Sequence, residues 1–494
     1  MRTPILGGLA AAAAVCLSAC LGTEAPARKP NVVVIFTDDQ GFADAGYQGV
    51  RDDLKTPNID ALAAAGTWFS AGYVSAPQCS PSRAGLITGR YQQRFGLNVN
   101  GGGALPWSET TLAERLREAG YVTGMTGKWH LQGGVASNGE RPENPDPGEA
   151  GGEARSPRFD PANPGHVGHH GFEEYLMGVR QNYVATHAAD GRVLTGKETR
   201  HRDARFRIDV QTEWALRFLE RHAGSERPFF LYLSYFGPHV PLEAPDEYLD
   251  RFPGEMPEPR RLALAIMAAI DDGVGEVVEA LRRHDLASRT LVFFLSDNGA
   301  PLSFQSADLP PGRGPEWNGS LNEPWAGEKG MLSEGGIRIP FLAAWEGVIP
   351  SGQVFDRPVI ALDVAATAVA AARLPVPEDA DGVDLLPFLT GRAAGDPHPA
   401  LFWRFRSQAA IRAGDWKLLT VGGERRYLFD LSRPDGEHRN LIDDHPALAR
   451  ELQGELAAWA SGLRPPGLGA TSSAREQRQY EYYVDHRLRS SGRS

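Results

Sequence analysis

The sequence predicts an α/β fold in which a mostly parallel sheet is flanked by helices and is followed by a smaller antiparallel sheet plus helix. Two features of the 494 residues predict this. Short β-branched and aromatic runs alternate with helical segments, which is the pattern of parallel strands joined by helical crossovers. From residue 399 the alternation stops, and short strand-like runs follow one another across Gly-containing turns. We therefore expect a main domain over residues 31–398 and a small subdomain over residues 399–465.

The elements of the main domain can be predicted one by one. Compact apolar runs too short for helices predict strands over residues 32–36, 121–125, 229–235 and 291–295. Helical patterns, the first two ended by Gly66 and Gly120, predict helices over 58–65, 110–119, 208–222 and 262–283. Two stretches rich in Gly, Pro, Asn and Glu, residues 133–170 and 301–328, are long enough to be either functional loops or disordered.

The subdomain has its own pattern. Residues 402–405, 409–412, 416–421 and 427–431 are candidate strands, and residues 446–463 form one predicted helix. The remaining residues, 466–494, are polar and Arg-rich, so we assign no regular structure to this tail.

The N-terminus resembles an export signal. Arg2 precedes an apolar run over residues 5–17, which is too short for an ordinary membrane span. Leu-Ser-Ala-Cys then ends at Cys20 and resembles a bacterial lipobox, so residues 1–19 are predicted to be a lipoprotein signal peptide and 20–30 a linker. The protein is then expected to be exported and anchored in the periplasm or at the cell surface through a lipid on Cys20. A plain signal peptide with a small-residue cleavage site is the alternative.

Net charge and cysteine content limit the kinds of partner that the protein can bind and the roles that Cys79 can have. The formal charge is 51 − 62 = −11, which argues against nucleic acid as a partner and requires a local basic pocket for any anionic ligand. Of the three cysteines, Cys16 is lost with the signal and Cys20 would carry lipid, so Cys79 is left unpaired. Cys79 is either a small buried apolar residue or a chemical precursor.

Polar pairs follow two of the predicted strands. Asp38-Asp39 comes after the first strand and Asp297-Asn298 after the fourth. Sites in open α/β sheets lie at the carboxyl ends of strands, so the two pairs are expected to meet. Three carboxylates and one amide suit calcium or magnesium and not zinc. Taken alone, either pair could equally be a helix cap or a turn.

One motif makes the resemblance specific. Residues 79–90 read Cys-Ser-Pro-Ser-Arg-Ala-Gly-Leu-Ile-Thr-Gly-Arg, and Cys-x-Pro-Ser-Arg followed by Ala-x-Leu-x-Thr-Gly resembles the signature of the sulfatase family. Pro81 suits the first turn of a helix, which places Cys79 at a positive helix N-terminus with Arg83 on the same face. The resemblance implies an alkaline-phosphatase-like fold and oxidation of Cys79 to formylglycine by a formylglycine-generating enzyme during export.

Further segments are similar to the same family, from about residue 29 to residue 459. Residues 120–130 end in Lys-Trp-His, Phe-Gly-Pro-His ends at residue 239, and Gly-Glu-Lys-Gly spans residues 327–330. We expect Lys128 and His130, two residues apart in an extended segment, to share a face.

The resemblance implies roles for ten residues. The cation ligands are Asp38, Asp39, Asp297 and Asn298 with the modified Cys79, and calcium is expected ahead of magnesium. Arg83 and Lys128 hold the nucleophile and the sulfate, while His130 holds the formylglycine hydrate and later acts as a base. His239 and Lys329 bind sulfate oxygens and assist the leaving group. The implied mechanism is attack of the hydrate on sulfur with assistance from the divalent cation.

The substrate is expected to be a sulfated sugar or polysaccharide, because residues 79–96 look most like those of bacterial sulfatases acting on such substrates. Aromatic and basic loop residues are candidate sugar subsites, although such side chains often only pack: His166, His169, His170, Arg180, Trp317 and Trp325. The alternatives are a broad-range arylsulfatase, a phosphate or phosphonate monoester hydrolase on the same fold, and a non-catalytic glycan-binding protein.

Overall fold

The computed structural model describes residues 28–133, 163, 165–194, 199–305, 317–433, 436–465, 467–469 and 471–491. The predicted signal peptide with Cys16 and Cys20, most of the predicted linker and parts of both long loops lie outside these residues. None of the helices in the described ranges is long and apolar enough to cross a membrane.

The described residues form strands and helices that alternate through the main domain. The strands are β1 (Asn31–Asp38), β2 (Thr67–Phe69), β3 (Gly72–Tyr73), β4 (Val122–Gly127), β5 (Glu174–Gly178), β6 (Asn182–Ala185), β7 (Thr199–Arg202), β8 (Phe229–Pro238), β9 (Thr290–Ser296), β10 (Phe341–Ala344), β11 (Gln353–Phe355), β12 (Val359–Ile360), β13 (Leu401–Phe405), β14 (Gln408–Ala413), β15 (Trp416–Val421) and β16 (Arg425–Asp430). The helices are α1 (Pro57–Ala64), α2 (Cys79–Thr88), α3 (Leu112–Glu118), α4 (Arg207–His222), α5 (Asp246–Leu249), α6 (Glu258–Arg283), α7 (Glu334–Ile337), α8 (Leu362–Ala371), α9 (Leu386–Leu389), α10 (Pro446–Ser461), α11 (Ala474–Tyr480) and α12 (His486–Ser491). The four strands and four helices predicted for the main domain are all present, with ends shifted by a few residues.

A ten-stranded sheet forms the centre of the molecule, in the order β11-β2-β10-β9-β1-β8-β4-β5-β6-β7. The five strands β9, β1, β8, β4 and β5 run parallel, and antiparallel strands extend the sheet on both sides. This confirms the predicted α/β class with a mostly parallel core. It also places the carboxyl ends of β9, β1 and β8 next to one another.

Both faces of the sheet are covered, which explains the continuous apolar strands. In β1, Val33 and Ile35 belong to a cluster that includes Trp214 of α4 and Ile270 of α6. Val32, Val34 and Phe36 face the opposite cluster, which contains residues of α2, α3 and α8. A strand buried on both faces gains from an apolar residue at every position, so strict alternation is lost.

The C-terminal strands β13 to β16 form the predicted antiparallel sheet. One face, with Trp403 and Leu419, joins the core of the main domain. The other face, with Ile411 and Leu418, packs against Leu456 of α10. The small sheet is therefore built into the main core on one side and closed by its helix on the other.

The tail expected to lack regular structure is instead helical. Residues 474–480 and 486–491 are α-helical, and a π-helical segment, Glu481–Asp485, joins them. Tyr480, Tyr483 and Val484 are fully buried in the main core. The expectation is wrong because a few apolar residues, spaced to share one helix face, anchor a segment whose average composition is polar.

Candidate active site

The candidate site lies where three neighbouring parallel strands end. Strand β1 ends at Asp38, and Asp39 follows in the left-handed conformation with φ of 65°. Strand β9 leads into Asp297 and Asn298, and β8 ends one residue before His239. The Asp39 N–H donates to Oδ1 of Asp297 at 3.0 Å, which joins the first two strand ends directly. The structure thus brings together the two polar pairs, as the strand pattern predicts.

Helix α2 carries Cys79 to the same edge of the sheet. Cys79 is the first residue of the helix, and Gln78 before it is extended. The Ser80 main-chain N–H donates to Oδ1 of Asn100 at 2.9 Å, and the Ser80 hydroxyl donates to the His130 carbonyl at 2.8 Å. The Cys79 sulfur, 1% exposed, lies 3.6 Å from Oδ1 of Asp38.

The Cys79 thiol is neutral in these surroundings. Burial raises the pKa of Cys79 to about 12, and the Asp297 carboxylate adds to the rise. The neighbouring cations Lys128 and Lys329 lower it by less. In this setting the group is not a ready thiolate nucleophile.

Arg83 organises the acidic side of the site. Its buried guanidinium donates through Nε and Nη2 to Oδ2 of Asp297, at 3.0 and 2.7 Å. Nη1 donates to the Lys128 carbonyl at 3.0 Å and to the Ser234 hydroxyl at 2.6 Å. Nη2 also lies 3.7 Å from Oδ2 of Asp38. The fork of Arg83 therefore fixes β9, the end of β4 and β8 against one another.

Two lysines face the carboxylates. Nζ of Lys128 lies 2.6 Å from Oδ2 of Asp38, and Nζ of Lys329 lies 2.6 Å from Oδ1 of Asp39 and 3.2 Å from the Cys79 sulfur. Burial opposes ionisation of Asp38, but the surrounding cations, Lys128 foremost, outweigh it and hold the pKa of Asp38 well below its usual value. Burial likewise opposes the charge of Lys329, yet Asp39 raises its pKa well above the usual value.

His239 is oriented by a main-chain bond. Nδ1 of His239 lies 2.6 Å from the Val240 carbonyl, which can only accept, so Nδ1 carries the proton. Nε2 is then the basic nitrogen, and it lies 3.6 Å from Oδ2 of Asp39. The ring stacks on Phe236 with centroids 4.9 Å apart, and burial lowers its pKa.

His130 reaches the site differently from the sequence-based expectation. Strand β4 ends at Gly127, and His130 has a left-handed backbone with φ of 61°, so Lys128 and His130 do not share a strand face. Lys128 is buried while His130 is exposed at the mouth. The nearby cations Lys128 and Arg83 disfavour a further positive charge and lower the pKa of His130. The imidazole is therefore neutral and able to accept a proton.

The donor set fits a hard divalent cation. Asn298 donates through Nδ2 to Oδ1 of Asp39 at 2.7 Å, while its own Oδ1 is buried without a hydrogen-bond partner. Asp38, Asp39, Cys79 and His239 offer ligand atoms that all lie within 4.8 Å of one another. This group shares three members with the predicted ligand set and adds His239. Clustered carboxylates and an unpartnered amide oxygen are the ligands that calcium and magnesium prefer.

Most of the proposed sugar-binding residues are used internally. His166 and His170 are 4% and 1% exposed, so they cannot meet a substrate. The Trp317 indole donates to the Ser320 carbonyl at 2.6 Å, and the Trp325 ring is covered by the Arg338 guanidinium at 3.9 Å. The expectation is therefore wrong for His166 and His170, whereas Trp317 and Trp325 are half-buried and stay predictions. His169 and Arg180 remain at the surface, where Arg180 pairs with Glu243.

Sequence reasoning misses one exposed aromatic residue at this edge of the sheet. Trp107 is 60% exposed, and its ring lies 4.6 Å from that of His169. Two hydrogen bonds connect its loop to segments of the site. The Leu105 N–H donates to the Leu131 carbonyl at 2.9 Å, and Oδ1 of Asn100 accepts from the Ser80 N–H. The available signal was a tryptophan four residues before the Thr111 helix cap, in a stretch with no other aromatic residue from 101 to 110.

Comparisons with known proteins agree with this geometry. Residues 30–374 match the Sulfatase family model, and residues 325–461 match the model described as N-sulphoglucosamine sulphohydrolase, C-terminal. N-acetylgalactosamine-6-sulfatase of Sus scrofa is 32% identical over 433 residues, which cover 81% of this chain and 73% of the relative. Arylsulfatase A of Bos taurus is 32% identical over 481 residues and 86% of each chain.

A solved structure is similar along nearly the whole chain. The crystal structure of Ps i-CgsB in complex with k-i-k-neocarrahexaose aligns with a TM-score of 0.73 at 30% identity and covers 94% of this chain and 100% of that one. The first family match alone spans most of the chain and contains all ten predicted site residues. The chain therefore belongs to the sulfatase family, whose members are sulfuric ester hydrolases.

Proposed function

We propose that this sulfatase hydrolyses sulfate monoesters on sulfated sugars or polysaccharides and uses a formylglycine made from Cys79. The observation that carries the proposal is the position of Cys79. Its sulfur is buried at a helix N-terminus, 3.2 Å from Nζ of Lys329 and 3.6 Å from a carboxylate oxygen of Asp38. Binding of a glycan alone would not require a reactive precursor among buried charges.

The carbohydrate substrate is supported by the relatives and by the mouth of the site. One relative is named for N-acetylgalactosamine 6-sulfate, and one similar structure holds a neocarrahexaose. Trp107 offers an exposed indole on a loop tied to residues 78–80 and 131. Aromatic rings of this kind stack on the apolar faces of sugars.

The chain's own residues divide the chemistry among them. We assign Lys128 and Lys329 to the sulfate oxygens, where negative charge increases in the transition state. Arg83 is committed to Asp297, so we assign it the task of holding the site's framework. When formed, the formylglycine hydrate supplies the attacking hydroxyl and a second hydroxyl for release of sulfate.

Proton transfer follows from the hydrogen bonds. Lys329, charged and 2.6 Å from Asp39, can donate a proton to the departing alcohol oxygen. Nδ1 of His239 carries the ring proton and donates a hydrogen bond to the Val240 carbonyl. Nε2 of the neutral ring can therefore only accept a hydrogen bond or a proton. His130, also neutral, is the base we assign to the second half-reaction.

A divalent cation, calcium ahead of magnesium, completes the proposed site. Asp38, Asp39, Asp297 and Asn298 would hold it together with residue 79. The negative charges of these three aspartates equal in number the positive charges of Arg83, Lys128 and Lys329. The site therefore becomes positive, as an anionic substrate requires, only when the cation is bound. When bound, the cation would polarise the sulfate and the nucleophile.

We also propose export and attachment through a lipid on Cys20, which rests on the lipobox-like sequence of residues 17–20. Expression with a labelled fatty acid tests it, because Cys20→Ala should abolish incorporation and release the protein from membranes. Label retained by the variant would contradict the assignment.

The decisive experiment is mass spectrometry of the tryptic peptide 56–83, from protein made in its native host or with a formylglycine-generating enzyme. Conversion of –CH2SH to –CHO removes two hydrogens and sulfur and adds oxygen, so the product is lighter. We expect the aldehyde at residue 79, together with turnover of sulfated oligosaccharides that Cys79→Ala abolishes. An unmodified thiol in fully active protein would refute the formylglycine. Faster turnover of phosphate, phosphonate or simple aryl esters than of sulfated sugars would favour the alternative substrates.

A further inference from the structure

The C-terminal helical segment, residues 474–491, lies beyond both family matches, which end at residues 374 and 461. It nevertheless packs beside the loop that carries Lys329. Two of its tyrosines, Tyr480 and Tyr483, are fully buried in the main core.

The first connection is to the residue before Lys329. The Glu328 carboxylate is 2% exposed, and its Oε1 accepts from Nε2 of Gln479 at 2.8 Å. Its Oε2 accepts from the Tyr483 hydroxyl at 3.1 Å and from the Ser303 N–H at 2.6 Å. A buried carboxylate is costly without such donors. Among the described residues, two of the three donors to the Glu328 carboxylate belong to the C-terminal helical segment.

The second connection is to the residues after Lys329. Gln408 donates through Nε2 to the Gly330 carbonyl at 2.8 Å and accepts at Oε1 from the Leu332 N–H at 2.8 Å. The Tyr480 hydroxyl donates to the same Oε1 at 2.5 Å. Tyr480 therefore fixes the amide that holds the other side of the loop.

The main chain between these points has little freedom. The Lys329 N–H donates to the Ala300 carbonyl at 3.0 Å, and the Gly330 N–H donates to the Pro77 carbonyl at 2.9 Å. The Lys329 side chain extends from this fixed backbone to Asp39 and Cys79. A shift of about 1 Å in a group that acts in the transition state can cost about a hundredfold in rate.

We propose that Gln479 and Tyr483 are positioning residues that hold Lys329 in its catalytic geometry through the buried carboxylate of Glu328. The inference rests on the role proposed above for Lys329. It makes the C-terminal helical segment a part of the catalytic apparatus that acts through Glu328.

The test is a pair exchange. Gln479→Glu places two carboxylates against each other, whereas the double variant Glu328→Gln/Gln479→Glu restores an amide–carboxylate hydrogen bond in the reverse direction. We expect Gln479→Glu to lower kcat on a sugar sulfate by about tenfold to a hundredfold with little change in KM, and the double variant to recover most of the loss. Tyr483→Phe, which keeps the ring beside Phe304, should show a smaller loss.

Two readouts separate positioning from loss of fold. Lys329 assists the leaving group, and the phenol released from an aryl sulfate is acidic enough to leave without protonation. The decrease in kcat should therefore be several-fold larger for a sugar sulfate than for an aryl sulfate. Hydrogen exchange in a peptide covering residues 326–338 should be at least about tenfold faster in Gln479→Glu and normal in the double variant. Arg425→Gln is the matched control, because it removes the 3.0 Å hydrogen bond that Nε of Arg425 donates to Asp485 of the same segment and leaves Glu328 untouched.

The outcomes are distinct. Equal losses on both esters that track a lowered melting temperature, absence of rescue, or rates within twofold of wild type would each overturn the proposal. If the wild-type protein hydrolyses neither ester, the proposed function fails, and hydrogen exchange alone still decides whether Gln479 holds the Lys329 loop.

Discussion

Replacing Lys417 by methionine should destabilise the protein strongly and in a pH-dependent way. Lys417 lies on β15, and its Nζ donates to Oε1 of Glu334 at 2.8 Å and to Oε1 of Glu437 at 2.9 Å. All three side chains are at most 2% exposed. The ion pairs join the small sheet to α7, which begins four residues after Gly330.

The size of the destabilisation depends on the partners that Glu334 and Glu437 keep when Lys417 is replaced. Glu334 keeps Arg338, whose Nη1 lies 3.1 Å from its Oε2, but Glu437 loses the lysine that offsets its burial. Removing one partner of a buried ion pair typically costs about 3–5 kcal/mol. Lys417→Met keeps the volume of the side chain, so the loss should reflect charge and not a cavity. The exposed Lys55 gives a matched control, for which Lys55→Met should cost less than about 0.5 kcal/mol.

The pH dependence has a definite sign. Burial already raises the pKa of Glu437 against the opposing effect of Lys417, so loss of the lysine raises it further. A carboxyl whose pKa is higher in the folded state favours folding below its unfolded pKa and loses that contribution as the pH rises. The deficit of Lys417→Met should therefore be larger at pH 8 than at pH 5.

Urea unfolding at both pH values measures this deficit. The double variant Lys417→Met/Glu437→Gln should recover much of the stability at pH 8, because no unpaired carboxylate is left. A loss below about 1 kcal/mol at pH 8, or an equal loss at both pH values, would refute the reasoning.

Three further predictions concern the sugar contact, a titrating pair and the cation. Trp107→Ala should raise KM for a sulfated oligosaccharide about fivefold to tenfold and leave KM for an aryl sulfate unchanged; parallel changes would contradict a stacking role. Asp363 accepts a hydrogen bond from His398 at 2.8 Å and raises the pKa of this histidine, although burial lowers it. The ion pair therefore stabilises the fold fully below the pKa of the histidine in the unfolded chain, and this contribution is lost as the pH rises through the pKa in the folded protein. His398→Asn should therefore cost about 1 kcal/mol in urea unfolding at pH 5.5 and less at pH 9, and an equal cost would sink this account. Asn298→Ala, which removes the unpartnered buried Oδ1, should weaken calcium binding to the chelator-treated protein about tenfold or more by calorimetry, and unchanged affinity would exclude it as a ligand.

The strands and helices that can be predicted from sequence are those whose buried positions are apolar over the whole segment. Strand β1 is apolar at almost every position because both faces are covered. Strand β7, with the residues Thr-Arg-His-Arg, gives no such signal because it is the last strand at one edge of the sheet. The C-terminal helical segment could have been recognised from Tyr480, Tyr483 and Val484, whose spacing is helical, but its polar average hides them.

The site shows the same division. The strand pattern predicts that Asp38-Asp39 and Asp297-Asn298 meet, since strand direction alone fixes their common edge. The left-handed backbone of His130 depends on tertiary contacts around the end of β4 and could not be predicted from spacing. The support of Lys329 by Gln479 joins residues 150 positions apart, and no local pattern reports such a contact.

Strand β1 separates the N-terminal side of the sheet from the catalytic site. The strand begins at Asn31 and brings Asp38 to the catalytic edge seven residues later, about 23 Å away at 3.3 Å per residue. A tether on the N-terminal side of Asn31, such as the lipid proposed on Cys20, would therefore emerge from the opposite edge of the sheet. An enzyme attached in the proposed way would present its catalytic site on the side of the sheet away from the point of attachment.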